Sequence, residues 1–424
     1  MIIESNDIIS NISRWAKLDS DSQLTKFMLS ATHYNTALVL AIAYMDRLIL
    51  ISDPLGGIHS VQSELVRSIS KHLGLYFDVT VMSVFIDQTN MECLERAGVN
   101  AISVRKNYPS LNSGLKFFNY NNESMLWLES WLREGLLNKN STELNREIVR
   151  NHFDFIINAT NTSPVKSDMW WIQGPPLYVT LKDMSDDNYL SKLTLFFARK
   201  AIEAVDEKLI YKMEHHSKVL IANGKYSYGY YRLRGLDVKG IVHNTKTFDD
   251  FHPTTSNPSR DFVLTYLGKE TELAILIKMA KLGIKIIAFG SKLPVGSKLG
   301  TLSQLIDFRG FIEREELMGL YSNALYTAFP FTNEPFGYIP IESMSCGTPV
   351  LTYNKQGPSE TVINGETGWL MENGKEFIEK ASDLWKSGCT GIPQKQCVER
   401  ATFFTAKNSA RLLAQYLDRA SEGK

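Results

Sequence analysis

Short apolar runs alternate with amphipathic stretches along most of this chain, and that alternation limits the folds it can adopt. The run Arg47–Ser52 reads as a buried strand, and it leads into a loop that contains Gly56 and Gly57. An amphipathic stretch follows, with an apolar residue at every third or fourth position, which predicts a helix. Phe77–Phe85 then reads as the next strand. A strand, a glycine loop, a helix and a second strand are the opening of a doubly wound α/β domain.

The same alternation restarts in the second half of the chain. A segment rich in Pro, Thr, Ser and Asn, Phe251–Arg260, precedes the strand candidate Asp261–Gly268. Further strand candidates are found in both halves: Phe153–Thr160, Met169–Gly174, Lys218–Asn223, Ile284–Gly290, Ala324–Pro330 and Thr348–Asn354. Long helices are predicted from about Tyr189 to Glu214 and from about Ala406 to Leu417. We therefore expect an α/β protein of two Rossmann-like domains, whose parallel sheets face each other across a ligand-binding cleft.

Composition and charge exclude several classes of protein. Apolar residues make up 44% of the 424 residues and charged residues 22%, which excludes collagen-like and mostly disordered chains. Lys+Arg and Asp+Glu both number 46, so bulk positive charge for nucleic-acid binding is absent. The four cysteines are too sparse for a disulfide framework, which favours a reducing, cytoplasmic location. No apolar run approaches the roughly 20 residues of a spanning helix, and the first residues do not resemble a signal peptide.

The stretch Phe329–Leu370 contains the residues that indicate chemistry. A predicted strand ends near Pro330, and a loop follows it. Because proline suits the first helical position, we predict that a helix begins near Pro340. The capping position would then fall on Ile339, which cannot cap a helix. Unpaired backbone N–H groups would therefore be available to an anion such as a diphosphate.

Two glutamates of this stretch could bind hydroxyl groups. Glu342, in the first turn of the predicted helix, could accept hydrogen bonds from a ribose diol, and Glu334 in the preceding loop could accept them from a sugar ring. Gly337 would let a ligand approach the backbone closely. The alternative is that Glu342 complements the helix dipole and that Glu334 is a solvated loop residue. Composition and spacing alone indicate a two-domain α/β protein with a candidate anion site.

The same stretch resembles the donor-binding signature of the family-4 retaining glycosyltransferases of the GT-B fold, also known as glycosyl transferases group 1. That signature begins with a Glu-x7-Glu element, which Glu334 and Glu342 match. A Ser-Cys-Gly-Thr-Pro-Val turn at Ser345–Val350 comes next. A Gly-Pro-Ser-Glu turn at Gly357–Glu360 and an Asn-Gly-x-Thr-Gly-Trp-Leu run at Asn364–Leu370 follow in the same order.

The resemblance implies a GT-B domain organisation. Residues 1–245 would form an acceptor-side Rossmann-like domain, in which 1–45 are an extension without a recognised counterpart. Residues 246–402 would form the Rossmann-like domain that binds the nucleotide-sugar donor. Residues 403–424 would form a closing helix that packs back on the first domain.

The resemblance also implies an activity. A sugar would pass from a nucleotide-diphosphate sugar to a glycan, a lipid-linked sugar or a protein, with retention of anomeric configuration, as in hexosyltransferases. The nucleotide sugar is a co-substrate, and no cofactor or metal is expected. The implied partners are the donor and the acceptor, without nucleic acid or a transmembrane segment. A cytoplasmic location is expected, and a lipid-linked acceptor would require peripheral membrane contact.

Residue roles at the donor sugar follow from the same resemblance. Glu342 would hold the ribose hydroxyls, and Glu334 would hold hydroxyls of the donor sugar beside the reacting centre. Backbone groups of Phe336 and Gly337 would contact sugar and phosphate, and the adjoining Tyr338 is assigned to the donor as well.

Two more elements of the donor site are implied elsewhere in the chain. Gly56 and Gly57 resemble the family's glycine loop near the diphosphate. Phe311 lies in the segment Arg309–Ala324, which resembles the loop on the base side of the nucleotide.

The sequence departs from the family at two catalytic positions. In the family, an arginine and a lysine about five residues later neutralise the diphosphate. Lys269 stands in the place of the arginine, but the lysine is missing at its usual spacing, and Lys292 is a candidate substitute for it. Gln173 stands where the family often has a histidine, and glutamine cannot carry charge. Two alternatives therefore stay open: a non-catalytic sugar-nucleotide or glycan-binding protein of the same fold, and a GT-B-fold sugar-nucleotide epimerase.

Two other patterns allow more than one interpretation. The triplet Asp19–Asp21 resembles a metal-binding motif, but its polar surroundings favour a solvated segment. Trp170 and Trp171 could line the acceptor side or pack in the core.

Overall fold

The computed structural model describes residues 45–56, 61–106, 122–184, 189–245, 251–268, 271–290, 304–331, 334–388 and 391–422. The predicted donor-site residues Gly57 and Lys269 lie outside the described residues, as do Lys292 and Asp19–Asp21.

The first sheet has the strand order β3-β2-β1-β4-β5-β6-β7. Its strands are β1 Arg47–Ser52, β2 Asp78–Ser83, β3 Asn100–Ser103, β4 Phe155–Ala159, β5 Ser167–Ile172, β6 Ser217–Ala222 and β7 Val238–Ile241. Strand β1 lies parallel between β2 and β4, with Leu50 opposite Val81 and Ile157. The strand order reverses between β1 and β4, so the carboxyl end of β1 is a topological switch point, where such sheets bind ligands.

The second sheet has the strand order β10-β9-β8-β11-β12-β13. Its strands are β8 Val263–Tyr266, β9 Ile286–Phe289, β10 Asp307–Phe308, β11 Thr327–Phe329, β12 Val350–Tyr353 and β13 Gly368–Met371. Strand β8 lies parallel to β9 on one side and to β11 on the other. The order reverses between β8 and β11, so the loop after β11, which contains Glu334, begins at the switch point of this sheet.

The helices follow the strands as the alternation predicts. In the described ranges they are α1 Val61–Leu73, α2 Gln88–Arg96, α3 Asn122–Leu137, α4 Lys139–Asn151, α5 Leu177–Met184, α6 Tyr189–His216, α7 Lys225–Leu233, α8 Leu273–Lys281, α9 Arg314–Asn323, α10 Tyr338–Ser345, α11 Pro358–Thr361, α12 Gly374–Ser387, α13 Gln394–Ala401 and α14 Ala406–Glu422. The two long helices predicted from sequence are α6 and α14, and both extend past their predicted ends. No helix in these ranges is both long enough and apolar enough to cross a bilayer.

Helices cover both faces of the second sheet. Side chains of a strand point alternately to opposite faces, so neighbouring residues enter different cores. Val263 packs in one core with residues of α8 and α12, whereas Leu264 packs in the other with residues of α9 and α10. This second core contains Tyr321 on α9 and Phe336 before α10, and it forms the support of the candidate site.

The chain divides into two compact units. One consists of Met1–Trp171, Leu209–Leu220 and Ala410–Lys424, and the other of Ile172–Lys208 and Ile221–Ser409. The prediction of two Rossmann-like parallel sheets is confirmed. The predicted domain boundaries after residues 245 and 402 stay predictions.

Candidate functional site

The loop after β11 holds the carboxylate of Glu334 in place. Its Oε1 atom accepts hydrogen bonds from the backbone N–H groups of Phe336 at 3.2 Å and Gly337 at 2.9 Å. A charged acceptor strengthens both bonds, so the carboxylate stabilises the turn of its own loop. The predicted contact of these two backbone groups with sugar and phosphate stays a prediction. A ligand anion that used these groups would have to displace Glu334.

Helix α10 begins earlier than predicted. It starts at Tyr338, so Pro340 is at the third helical position and Glu342 lies beyond the first turn. The predicted start at Pro340 was wrong because proline is tolerated in the first turn generally, where N–H groups have no intrahelical partner. The capping residue is Gly337, whose φ of 94° is in the left-handed region and whose lack of a side chain leaves this helix end without a side-chain cap.

Glu342 is oriented by a buried tyrosine. The hydroxyl of Tyr321 donates to Oε2 of Glu342 at 3.0 Å, and Glu342 is 7% exposed. Burial, followed by the neighbouring Glu342 carboxylate, raises the pKa of Tyr321 well above its ordinary value. Tyr321 therefore keeps its proton and acts as a donor. Glu342 is thus held as a hydrogen-bond acceptor, the property that a contact with ribose hydroxyls requires.

Tyr338 connects the start of α10 to a residue that sequence reasoning missed. The side-chain amide of Asn244 donates to the Tyr338 hydroxyl at 2.7 Å, and Asn244 is buried. The pKa of Tyr338 is raised, chiefly by burial and then by Glu334. The ring of Phe336 packs edge-on against Tyr338 with its centroid at 4.9 Å. The side chain of Phe336 is therefore part of the core.

A buried carboxylate, Glu360, forms a second polar centre. It accepts hydrogen bonds from the backbone N–H of Lys225 and from Nε2 of His243, both at 2.6 Å. The guanidinium of Arg400 donates to the backbone carbonyls of Glu360 and Thr361 at 2.6 and 2.9 Å. Sequence reasoning noticed Glu360 only as the last residue of a turn. The signal that it missed was the position of Glu360 within a segment of otherwise small and apolar residues, which predicts that the carboxylate is buried with partners.

The remaining predicted site residues lie apart from Glu334 along the chain. Phe311, in the loop before α9, is 62% exposed, and its predicted contact with the nucleotide base stays a prediction. Gln173 follows β5, and its backbone carbonyl accepts a hydrogen bond from the Asn223 amide at 2.8 Å. Gly56 follows β1, and a Cβ atom there would lie 2.4 Å from the Leu126 side chain. That contact is with the end of a flexible side chain, so the predicted role of Gly56 near the diphosphate stays a prediction.

The two tryptophans of β5 belong to the core. Trp170 and Trp171 are each 1% exposed, and the indole N–H of Trp170 donates to the carbonyl of Thr160 at 3.0 Å. The structure therefore favours the packing interpretation over a role in lining an acceptor surface.

Two Rossmann-like parallel sheets are the architecture expected of the GT-B fold. The solved structure of sucrose-phosphate synthase from Thermosynechococcus elongatus matches 89% of this chain and 100% of its own, with a TM-score of 0.60 at 18% identity. That likeness confirms the predicted fold. Residues 299–402 match the model of the family described as glycosyl transferases group 1.

Curated relatives match over shorter stretches. The capsular polysaccharide biosynthesis glycosyltransferase CapM of Staphylococcus aureus is 27% identical over 213 residues, which cover 46% of this chain and 55% of CapM. The alpha-1,3/1,6-mannosyltransferase alg-2 of Neurospora crassa is 47% identical over 53 residues, 12% of this chain and 11% of that protein. The matches thus span about half or less of the length of these relatives.

Proposed function

We propose that this chain is a retaining glycosyltransferase that moves a sugar from a nucleotide-diphosphate sugar to a glycan, lipid-linked or protein acceptor. One observation supports this most strongly: Glu334 and Glu342 lie on consecutive elements at a switch point, within the stretch that matches group 1 glycosyltransferases. Both glutamates are positioned by hydrogen bonds: the Tyr321 hydroxyl donates to Glu342, and the backbone N–H of Gly337 donates to Glu334. The name of the relative CapM, a glycosyltransferase of capsular polysaccharide biosynthesis, agrees with a carbohydrate-containing acceptor.

In the proposed reaction, Glu342 accepts hydrogen bonds from the ribose diol of the nucleotide. Glu334 holds hydroxyls of the donor sugar and stabilises positive charge that develops at the anomeric carbon. Lys269 and the backbone N–H groups of the first turn of α10 stabilise the departing diphosphate, a type of preorganised electrostatic stabilisation that often dominates catalysis. Gln173 completes the proposed site near the reacting carbon of the sugar, and Phe311 completes it beside the base of the nucleotide.

The first test is binding of UDP, GDP and ADP and their common sugar conjugates, followed by thermal unfolding. Ligand at about 100 times its dissociation constant adds about 2.7 kcal/mol of stability, which shifts the unfolding temperature measurably. Glu342→Ala should weaken binding of the active nucleotide by about 10- to 100-fold, because a hydrogen bond to a charged group is lost. Glu366→Ala, an exposed glutamate of the same stretch, is the matched control.

The second test measures transfer with the donor so identified. Glu334→Ala should lower turnover by about 100-fold or more with a smaller effect on nucleotide binding, because it removes an interaction made mainly in the transition state. NMR of the product should show the anomeric configuration of the donor. Inversion would contradict the retaining mechanism. Binding without transfer for every acceptor would favour the non-catalytic alternative, and an acceptor-independent change in the donor sugar would favour the epimerase.

A further inference from the structure

Glu334 is held by two consecutive residues of the turn before α11. Its backbone N–H donates to Oε1 of Gln356 at 2.7 Å, and its backbone carbonyl accepts from the N–H of Gly357 at 2.9 Å. Gln356 is 22 residues away along the chain. Both main-chain polar groups of Glu334 are thus bonded to this turn, and one of the two bonds depends on a side chain.

Gln356 adopts a backbone conformation that disfavours glutamine. Its φ of 50° lies in the left-handed region, where a Cβ atom is strained and glycine is not. The hydroxyl of Ser359 donates to its carbonyl at 2.7 Å, which helps to hold this conformation. Glycine would adopt this backbone conformation with less strain. The contribution of glutamine at this position is therefore its side chain.

The turn and the loop are in direct contact on both sides of this hydrogen bond. A Cβ atom at Gly357 would lie 2.2 Å from the backbone carbon of Phe336. A Cβ atom at Gly337 would lie 3.0 Å from Oγ1 of Thr361 and 3.3 Å from the backbone nitrogen of Pro358. A displacement of the turn would therefore be transmitted to the loop and to the carboxylate of Glu334, which bonds within it.

We propose that Gln356 is a positioning residue for the donor sugar, because its side-chain amide sets the position of Glu334. This inference rests on the proposed function, in which Glu334 contacts the sugar. Gln356 contacts no reacting atom itself. It acts on turnover through the placement of Glu334, and misplacement of a reacting group by about 1 Å can lower a rate by about 100-fold.

The test compares Gln356→Gly, which relieves the strained φ and removes the acceptor, with Gln356→Glu, which retains an acceptor of the same length. Gln356→Gly should unfold at the same temperature as the parent or higher, while kcat falls by about 3- to 10-fold and nucleotide affinity stays the same. Gln356→Glu should retain most of the turnover. His152→Gly, at an exposed left-handed residue with φ 51°, is the matched control for removal of backbone strain.

A second readout does not require a known donor. Amide hydrogen exchange at Glu334 should be faster by about 3- to 10-fold in Gln356→Gly than in the parent, and unchanged in His152→Gly. If kcat and exchange both match the parent in Gln356→Gly, the proposal is wrong. If stability and kcat fall together, Gln356 is merely structural. If the parent transfers no sugar but exchange at Glu334 responds as expected, the proposed function fails while the positioning role stands.

Discussion

At the scale of single residues, Asp53 shows how a buried carboxyl is retained at the carboxyl end of β1. It is 6% exposed and accepts hydrogen bonds from the Thr162 hydroxyl and the Asn161 backbone N–H. Burial outweighs these bonds and raises the pKa of Asp53 to about 6. Sequence reasoning treated Asp53 only as part of a loop, because nothing local predicts that its side chain is enclosed.

The raised pKa of Asp53 predicts a specific dependence of stability on pH. Between its ordinary value of 3.8 and about 6, the folded state holds the proton and the unfolded state does not. Stability should therefore fall as pH rises through this window. Relative to the non-titrating Asp53→Asn variant, the free energy of unfolding of the parent should drop by roughly 1 to 1.5 kcal/mol between about pH 5 and about pH 7.5.

Urea titrations of both proteins at several pH values would measure this difference. The exposed Asp46→Asn variant controls for the loss of one carboxylate near the same strand. A difference between parent and Asp53→Asn that stays constant over this range would show that Asp53 is ionised in the folded state.

At the scale of elements, helix α7 is capped by a residue far away in the chain. Its capping residue, Gly224, has no side chain. Oε2 of Glu360, which is 135 residues after Lys225, accepts the N–H of Lys225 instead. A Cβ atom at Gly224 would lie 3.0 Å from that oxygen, so glycine makes room for the carboxylate. A negative charge at a helix N-terminus is stabilising, and His243 neutralises part of it when protonated.

Removal of this charge should destabilise the fold. Glu360→Gln keeps the size of the side chain but loses the charge at the helix end, so the free energy of unfolding should fall by about 1 to 3 kcal/mol. Chemical denaturation would measure the change. Glu366→Gln, an exposed glutamate in the same segment, should change it by less than about 0.5 kcal/mol. Equal stability of Glu360→Gln and the parent would show that the charge adds nothing to the cap.

At the scale of the whole molecule, each of the two sheets presents candidate residues at its own switch point. The predicted site residue Gly56 follows β1 in the first sheet, and Glu334 follows β11 in the second. In parallel sheets, loops at the carboxyl strand ends are the usual ligand sites. Among the described residues, no group of three His, Cys, Asp or Glu side chains could hold a metal ion. The donor site proposed above uses backbone N–H groups and Lys269 to stabilise the diphosphate.

We accordingly expect sugar transfer to be independent of divalent metal. Turnover in excess EDTA should stay within about twofold of the untreated enzyme, because N–H dipoles and a cationic side chain stabilise the leaving diphosphate. A matched assay with a chelator already saturated with Ca²⁺ controls for effects of the reagent itself. Activity that disappears with EDTA and returns with Mg²⁺ or Mn²⁺ would contradict this assignment.

The quality of sequence prediction varied with how local the signal was. Apolar runs such as Arg47–Ser52 predicted strands correctly because burial in a parallel sheet requires continuous apolar sequence. The short strands β3 and β7, Asn100–Ser103 and Val238–Ile241, were missed because partly exposed edges do not need such runs. The start of α10 was misplaced because proline marks a first turn but not a position within it.

By itself, the sequence determined the two α/β halves and the stretch that contains Glu334 and Glu342, because periodicity and motif spacing are properties of neighbouring residues. Only the tertiary structure decided how these glutamates are held. Tyr321 reaches Glu342 across 21 residues, and Gln356 reaches Glu334 across 22. Such pairings depend on which strands become neighbours in the sheet. They close loops of about 20 residues between the two partners, and residues so far apart leave no local pattern in the sequence.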